Sequence, residues 1–264
     1  MEKNSKNKIR ESVMGNYKKV ALSNEEPKNI SSECCGASKI KNYDSISADM
    51  GYSSTECNNV PDGSNLGLGC GNPQAIADLK KGETVLDLGS GGGFDCFLAA
   101  ESVGDSGKVI GVDMTPEMIS LSRNNAEKGN YKNTEFRLGE IEHLPVADSS
   151  IDVIISNCVI NLSPEKEQVF DEAFRVLKPG GKLAISDIVL FNTMPDELKN
   201  DSSLYSGCVS GASSIDELKN ILSNTGFNNI KIEPKYKSRE FIKDWAPGRE
   251  IENYIVSATI EAVK

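Results

Sequence analysis

A glycine-rich turn set between an apolar run and a helical run constrains this chain more than any other feature. Thr84–Leu88 (TVLDL) has strand character and feeds Gly89-Ser-Gly-Gly-Gly93, after which Phe94–Val103 has helical character. Asp113 ends the next strand-like run, KVIGVD, 20 residues after Gly93. Glycines at such a turn let a ligand approach the backbone, and an acid after the second strand accepts hydrogen bonds from ribose hydroxyls. The same geometry suits a dinucleotide. The turn therefore predicts a βαβ unit and a nucleotide-like ligand, and leaves the ligand open.

The alternation continues along the chain. A helix is expected over Pro116–Lys128, with proline at its first turn, then strands over Thr134–Leu138 and Ile151–Ser156 and a helix over Glu165–Leu177. Lys178–Gly181 (KPGG) reads as a turn into a fifth strand, Lys182–Val189. A helix near Ile215–Asn224 and strands near Asn229–Pro234 and Tyr254–Glu261 complete the set. Repeated β-α-β units with short loops predict an α/β fold, a doubly wound and mostly parallel Rossmann-like sheet. The 264 residues divide into an N-terminal cysteine-containing arm (1–60), a nucleotide-binding domain (61–190) and a C-terminal region (191–264) that completes the sheet and lids the acceptor side. The arm reads as loop apart from a short helix over 8–22, and 63–73 (GSNLGLGCGNP) as a tight surface loop.

Four motifs in order narrow the ligand: D-x-G-x-G-x-G from Asp87, GEIEHLPVAD (139–148), DVIISN (152–157) and LKPGG (177–181). Together they resemble class I methyltransferases. The resemblance implies that Asp87, Gly89, Ser90, Gly91 and Gly93 hold the methionine and ribose part of S-adenosylmethionine. It implies that Asp113, with Met114 beside it, takes the ribose hydroxyls, that Glu140 and Ile141 flank the adenine, and that Asn157 lines the pocket.

Charge and composition set the surroundings. A net charge of −10 opposes a nucleic-acid partner, because phosphate contacts need a basic stripe, and the Lys/Arg run of residues 3–10 is short. The chain opens on polar and basic residues, with neither a signal-like apolar segment nor a membrane-length apolar run. A soluble cytoplasmic protein without a membrane partner is expected. In that setting seven cysteines, an odd number, argue reduced thiols and not a disulfide scaffold.

Fold does not choose the acceptor, so the cysteines must. Ligands of open α/β sheets sit beyond the carboxyl ends of the strands. Cys158 follows the fourth strand, Cys208 lies after the fifth in YSGCVSGA, and Cys70 lies in the glycine loop before the first. Three thiols on glycine-flanked loops suit a soft three-coordinate ion, such as trivalent arsenic. Zinc would want a fourth ligand, and the paired spacings of zinc modules are absent. The only histidine, His143, falls in the presumed adenine segment. An oxygen or nitrogen acceptor normally needs a positioned base, whereas arsenic offers a lone pair.

Residues 66–73 (LGLGCGNP), 85–96 (VLDLGSGGGFDC), 156–162 (SNCVINL) and 207–212 (GCVSGA) resemble the bacterial and archaeal arsenite methyltransferase family over about residues 60–235. The resemblance implies that Cys158 and Cys208 bind arsenic(III). It implies that Cys70 and an N-terminal thiol, Cys34 or Cys35 by position, join binding and redox steps. Arsenite would arrive as a thiol complex, with thioredoxin or a small thiol as reductant. Cys96, between Phe94 and Phe97, and Cys57 are expected to be structural or incidental, Trp245 a packing anchor, and Asp187 either structural or part of the acceptor pocket. Two alternatives stand beside this reading. One is a class I methyltransferase acting on a carbon or oxygen atom of a small metabolite, disfavoured because the presumed cap is polar and short of aromatics. The other is a non-catalytic metalloid-binding protein, disfavoured by the intact glycine turn and Asp113.

Overall fold

The computed structural model describes residues 3–23 and 43–264; Cys34 and Cys35 lie outside the described residues. Eight strands form one sheet: β1 (Thr84–Leu88), β2 (Lys108–Asp113), β3 (Thr134–Leu138), β4 (Ile151–Asn157), β5 (Leu177–Leu190), β6 (Ser213–Ser214), β7 (Asn228–Lys235) and β8 (Ile255–Val263). The order is β3-β2-β1-β4-β5-β8-β7, with β6 paired to the end of β5. β1 to β5 run parallel, while β8 lies antiparallel between β5 and β7. Strand order therefore reverses at β1, between β2 and β4. At such a switch point the connections leave in opposite directions and open a crevice beyond the carboxyl ends.

Both faces of the sheet are covered, which is why its strands read as continuous apolar runs. One face carries Leu86, Leu88, Ile110, Ile154 and Ile185 against Val169 and Phe170 of α7 (Lys166–Val176) and Leu222 of α9 (Ile215–Thr225). The other carries Val85, Val109, Val153 and Ile155 against Phe97 of α5 (Phe94–Val103) and Ile119 of α6 (Pro116–Gly129). Phe97 is fully buried, so truncating it to alanine would destabilise the fold by roughly 3–5 kcal/mol. α5 is apolar nearly all round and needs a second cover. Met50 and Tyr52 supply it, packing on Leu98 and Phe94.

In the described part of 1–60 the expected helix over 8–22 is present and longer, while 43–60, expected as loop, carries two short helices. The three are α1 (Lys3–Ser23), α2 (Tyr43–Asp49) and α3 (Ser54–Asn58), the last closed by a capping box between Ser53 and Glu56. The KPGG segment is a second difference. β5 begins at Leu177 and runs through it, with a register irregularity where Ile151 pairs with Leu177 and Val153 with Lys182. Gly180 keeps a turn-like positive φ, but its N–H donates to the Lys264 carbonyl, so pairing with the end of β8 carries the strand across. No helix among the described residues is long and apolar enough to cross a membrane.

Candidate active site

At the switch point, the β1–α5 turn forms the floor of an open cleft of about 1050 Å³, a volume that includes solvent at its mouth. Gly89 has φ +73, and a β-carbon there would collide with the Val159 side chain. At Gly91 a β-carbon would meet nothing within 4 Å, leaving a bare backbone cradle on the cleft wall. Asp113 ends β2 and accepts the N–H of Gly91 at 3.0 Å and of Thr115 at 2.8 Å. Burial raises its carboxyl, and these backbone donors oppose the rise. Ser90 lines the cleft, and its hydroxyl is buried beside Gly111 without a hydrogen-bond partner in the protein. A bare glycine cradle, an orphaned hydroxyl and a fixed carboxylate fit the ribose and methionine part of S-adenosylmethionine.

The other expected cofactor residues distribute unevenly. Asp87, Met114, Ile141 and Asn157 line the cleft. Gly93 stands behind it, where it starts α5 against the Phe97 ring. Glu140 is outside the lining with its side chain 47% exposed, whereas Glu142, at 5%, lines the wall. Cys96 is fully buried and donates to Asp87 Oδ2 at 3.2 Å, and half-buried Cys57 lies in α3, packed near Met50 and Tyr52.

Three thiols meet beside this cleft. Cys70 is only 1% exposed, so the 63–73 loop dives into the protein and does not stay on the surface as expected. Cys70 Sγ, Cys158 Sγ and a carboxylate oxygen of Asp187 lie within 4.8 Å of one another. Cys208 Sγ donates to the Cys158 carbonyl at 2.9 Å, which sets the third thiol beside the pair. Cys158 also lines the cleft, which joins the trio to the donor side. Asp187 is fixed by the N–H groups of Ile160 and Ile188 and the amide of Asn161, and burial pushes it up to about 6.

Local backbone chemistry explains the convergence. Cys158 and Cys208 both adopt left-handed conformations, φ 59 and 61, which cost a β-carbon residue roughly 1–3 kcal/mol each. Cys158 N–H donates to Ser186 O at 2.8 Å and Cys208 N–H to Tyr205 O at 3.0 Å, holding both turns. The two loops touch so closely that a β-carbon on Gly211 would strike the Asn161 carbonyl. Asn157 ties in the third thiol: its Oδ1 accepts Cys70 N–H at 3.0 Å, and its Nδ2 donates to Gly71 O and to the Tyr52 hydroxyl. Tyr52 in turn donates to Asp95, a carboxyl that burial raises to about 6.

All three thiols are held protonated. Burial raises Cys70; the hydrogen bond with Cys158, then burial, raises Cys208 far above the thiol range. For Cys158 the bond from Cys208 pulls down, but the one with Cys70 and burial outweigh it. The surroundings are more aromatic than the sequence suggests: Tyr205, Phe241, Trp245 and Tyr254 pack around the cluster. Scarcity of aromatics therefore does not distinguish the acceptor. Patterning also missed α1 as a wall of the site, although Ile9, Val13 and Tyr17 recur every four residues, a helical stripe.

Fold and cleft define a Rossmann-like class I methyltransferase, the class that takes S-adenosylmethionine; residues 79–226 match the family model described as Methyltransferase domain. The crystal structure of the arsenic(III) S-adenosylmethionine methyltransferase from Chlamydomonas reinhardtii is 33% identical over 83% of this chain and 73% of that one, with a TM-score of 0.62. The arsenite methyltransferase of Halobacterium salinarum is 58% identical over 81% of this chain, and that of Aquipseudomonas alcaligenes 39% over 85%. The chain belongs to the arsenite methyltransferase family. It spans 55% and 63% of the lengths of the Halobacterium and Aquipseudomonas proteins.

Proposed function

We propose that this chain transfers methyl groups from S-adenosylmethionine to trivalent arsenic held by Cys158, Cys208 and Cys70, giving methylated arsenicals. The observation that carries this reading is the position of Cys158, which lines the donor cleft, has its Sγ within 4.8 Å of Cys70 Sγ and accepts the Cys208 thiol at its carbonyl. Protonated thiols suit capture of arsenite from a small-thiol complex. Each new As–S bond to a cysteine replaces an As–S bond to the incoming thiol, and the cysteine proton leaves with that thiol. No general base is required. Bound S-adenosylmethionine supplies a methyl group on a sulfonium, which leaves as a thioether. The cysteines hold the arsenic lone pair toward the cleft, and such positioning supplies up to roughly 7–11 kcal/mol of a barrier.

Transfer takes arsenic from the trivalent to the pentavalent state, so two thiols must be oxidised to a disulfide to restore it. A small thiol or thioredoxin fits that role in a reducing cytoplasm, and Cys34 or Cys35 is the candidate for the further thiol of the chain. Support comes from the membership of the family and from the apolar, water-poor basin around the cluster. The test is incubation of the purified chain with arsenite, S-adenosylmethionine and a thiol, followed by chromatography of arsenic species. Mono- or dimethylated arsenic is expected. Intact cofactor binding with no methylated arsenic would point instead to a small-metabolite acceptor.

A further inference from the structure

We propose that Tyr17 is a positioning residue shared by the donor cleft and the thiol basin, and that its helix α1, tied by Asn16 to Ser206, couples methyl-donor binding to arsenite binding. The inference rests on the arsenite reading above. Tyr17 lines the cleft together with Arg10 and Val13. It also packs on the cluster that contains Cys70, Cys158 and Cys208, and on the neighbouring cluster of Leu66, Met118 and Leu121. The ring is half-buried between the two clusters.

The anchors of α1 alternate between the two sites. Arg10 donates to Glu142 on the cleft wall at 3.0 Å, and Glu142 also accepts the Ser163 hydroxyl. Two turns on, the Asn16 amide donates to Ser206 Oγ at 2.6 Å, in the 3-10 turn Ser202–Gly207 that leads into Cys208. Lys18 pairs with Glu117 of α6 at 2.6 Å. Among its described side chains only Val13 and Ala21 are fully buried. Ile9, Tyr17 and Val20 add only partly buried apolar contact, so α1 can loosen without opening the sheet core. α1 walls both the cleft and the thiol basin, so a ligand in either site packs against the same helix. The first ligand meets the cost of ordering α1 and the second does not, which makes the two bind cooperatively.

Equilibrium dialysis of arsenite, with arsenic counted by mass spectrometry, measures this in the presence and absence of S-adenosylhomocysteine, a donor analogue that cannot react. The wild-type chain should bind arsenite about tenfold more tightly with the analogue present. Tyr17→Leu and Asn16→Ala should reduce that factor below about twofold, whatever their separate affinities, and Tyr17→Phe should retain it. An unchanged factor in both variants, or none in the wild-type chain, overturns the coupling while leaving the arsenite reading intact. Normal analogue binding with no arsenite bound at all removes the acceptor reading, and the coupling with it.

Discussion

The Asn157 side chain accepts the backbone N–H of Cys70 at 3.0 Å, so the residue that ends β4 also fixes a loop 87 positions earlier. Its Nδ2 holds Gly71 O at 2.7 Å and the Tyr52 hydroxyl at 2.9 Å. Asn157→Asp would replace that donor by an acceptor, leaving the Gly71 carbonyl without a partner, at roughly 1–3 kcal/mol, and the Tyr52 hydroxyl with only its bond to Asp95. We expect Tm to fall by several degrees and methylation by about 10-fold or more, measured by calorimetry and by turnover.

The left-handed backbone at Cys158 and Cys208 separates thiol chemistry from backbone strain. Cys208→Ala and Cys208→Gly should both abolish methylation. Yet the glycine variant should be the more stable of the two by about 1 kcal/mol, because only glycine adopts φ 61 without penalty. Denaturant melts of the two variants check this, and an alanine variant as stable as glycine would count against strain at that turn.

Cys96 should behave differently from the trio. It lies in the core and donates to Asp87, a bond that a serine hydroxyl can replace. Cys96→Ser should keep methylation within about threefold of wild type, since the net worth of one such hydrogen bond is only about 1 kcal/mol. Cys158→Ser in the same assay should be inactive.

Acid should loosen α1. Hydrogen bonds from Lys6, then Arg10, lower the Glu165 carboxyl to about 2. That is below its unfolded value of about 4.3, so its contribution is complete above pH ~4.3 and is lost as pH falls toward 2. Protection of the α1 amides, corrected for intrinsic exchange, should fall between pH ~4 and pH ~3, and Glu165→Gln should show the lower protection already at pH ~6.

The strands were legible because both sheet faces are buried: β1, β2 and β3 coincide with their apolar runs, and α5 with the run after the glycine turn. The motifs pointed to Asp113 and Cys158, which line the cleft, and equally to Gly93 and Glu140, which do not. Glu142 was not legible, because Glu140 and Glu142 flank Ile141 alike and only Arg10 and Ser163 distinguish them. KPGG has the chemistry of a turn, yet pairing with β8 keeps it in β5. Asn157 was legible as a pocket residue, but its bonds to Cys70, Gly71 and Tyr52, 86 to 105 positions away, are encoded by no local pattern.

The most direct test is a single turnover with methyl-labelled S-adenosylmethionine and stoichiometric arsenite, comparing wild type with Cys158→Ser after cofactor binding has been verified in both. Label on arsenic in the wild-type chain and none in the variant is the predicted result. Equal labelling of arsenic in both would contradict the assignment of Cys158 to the acceptor.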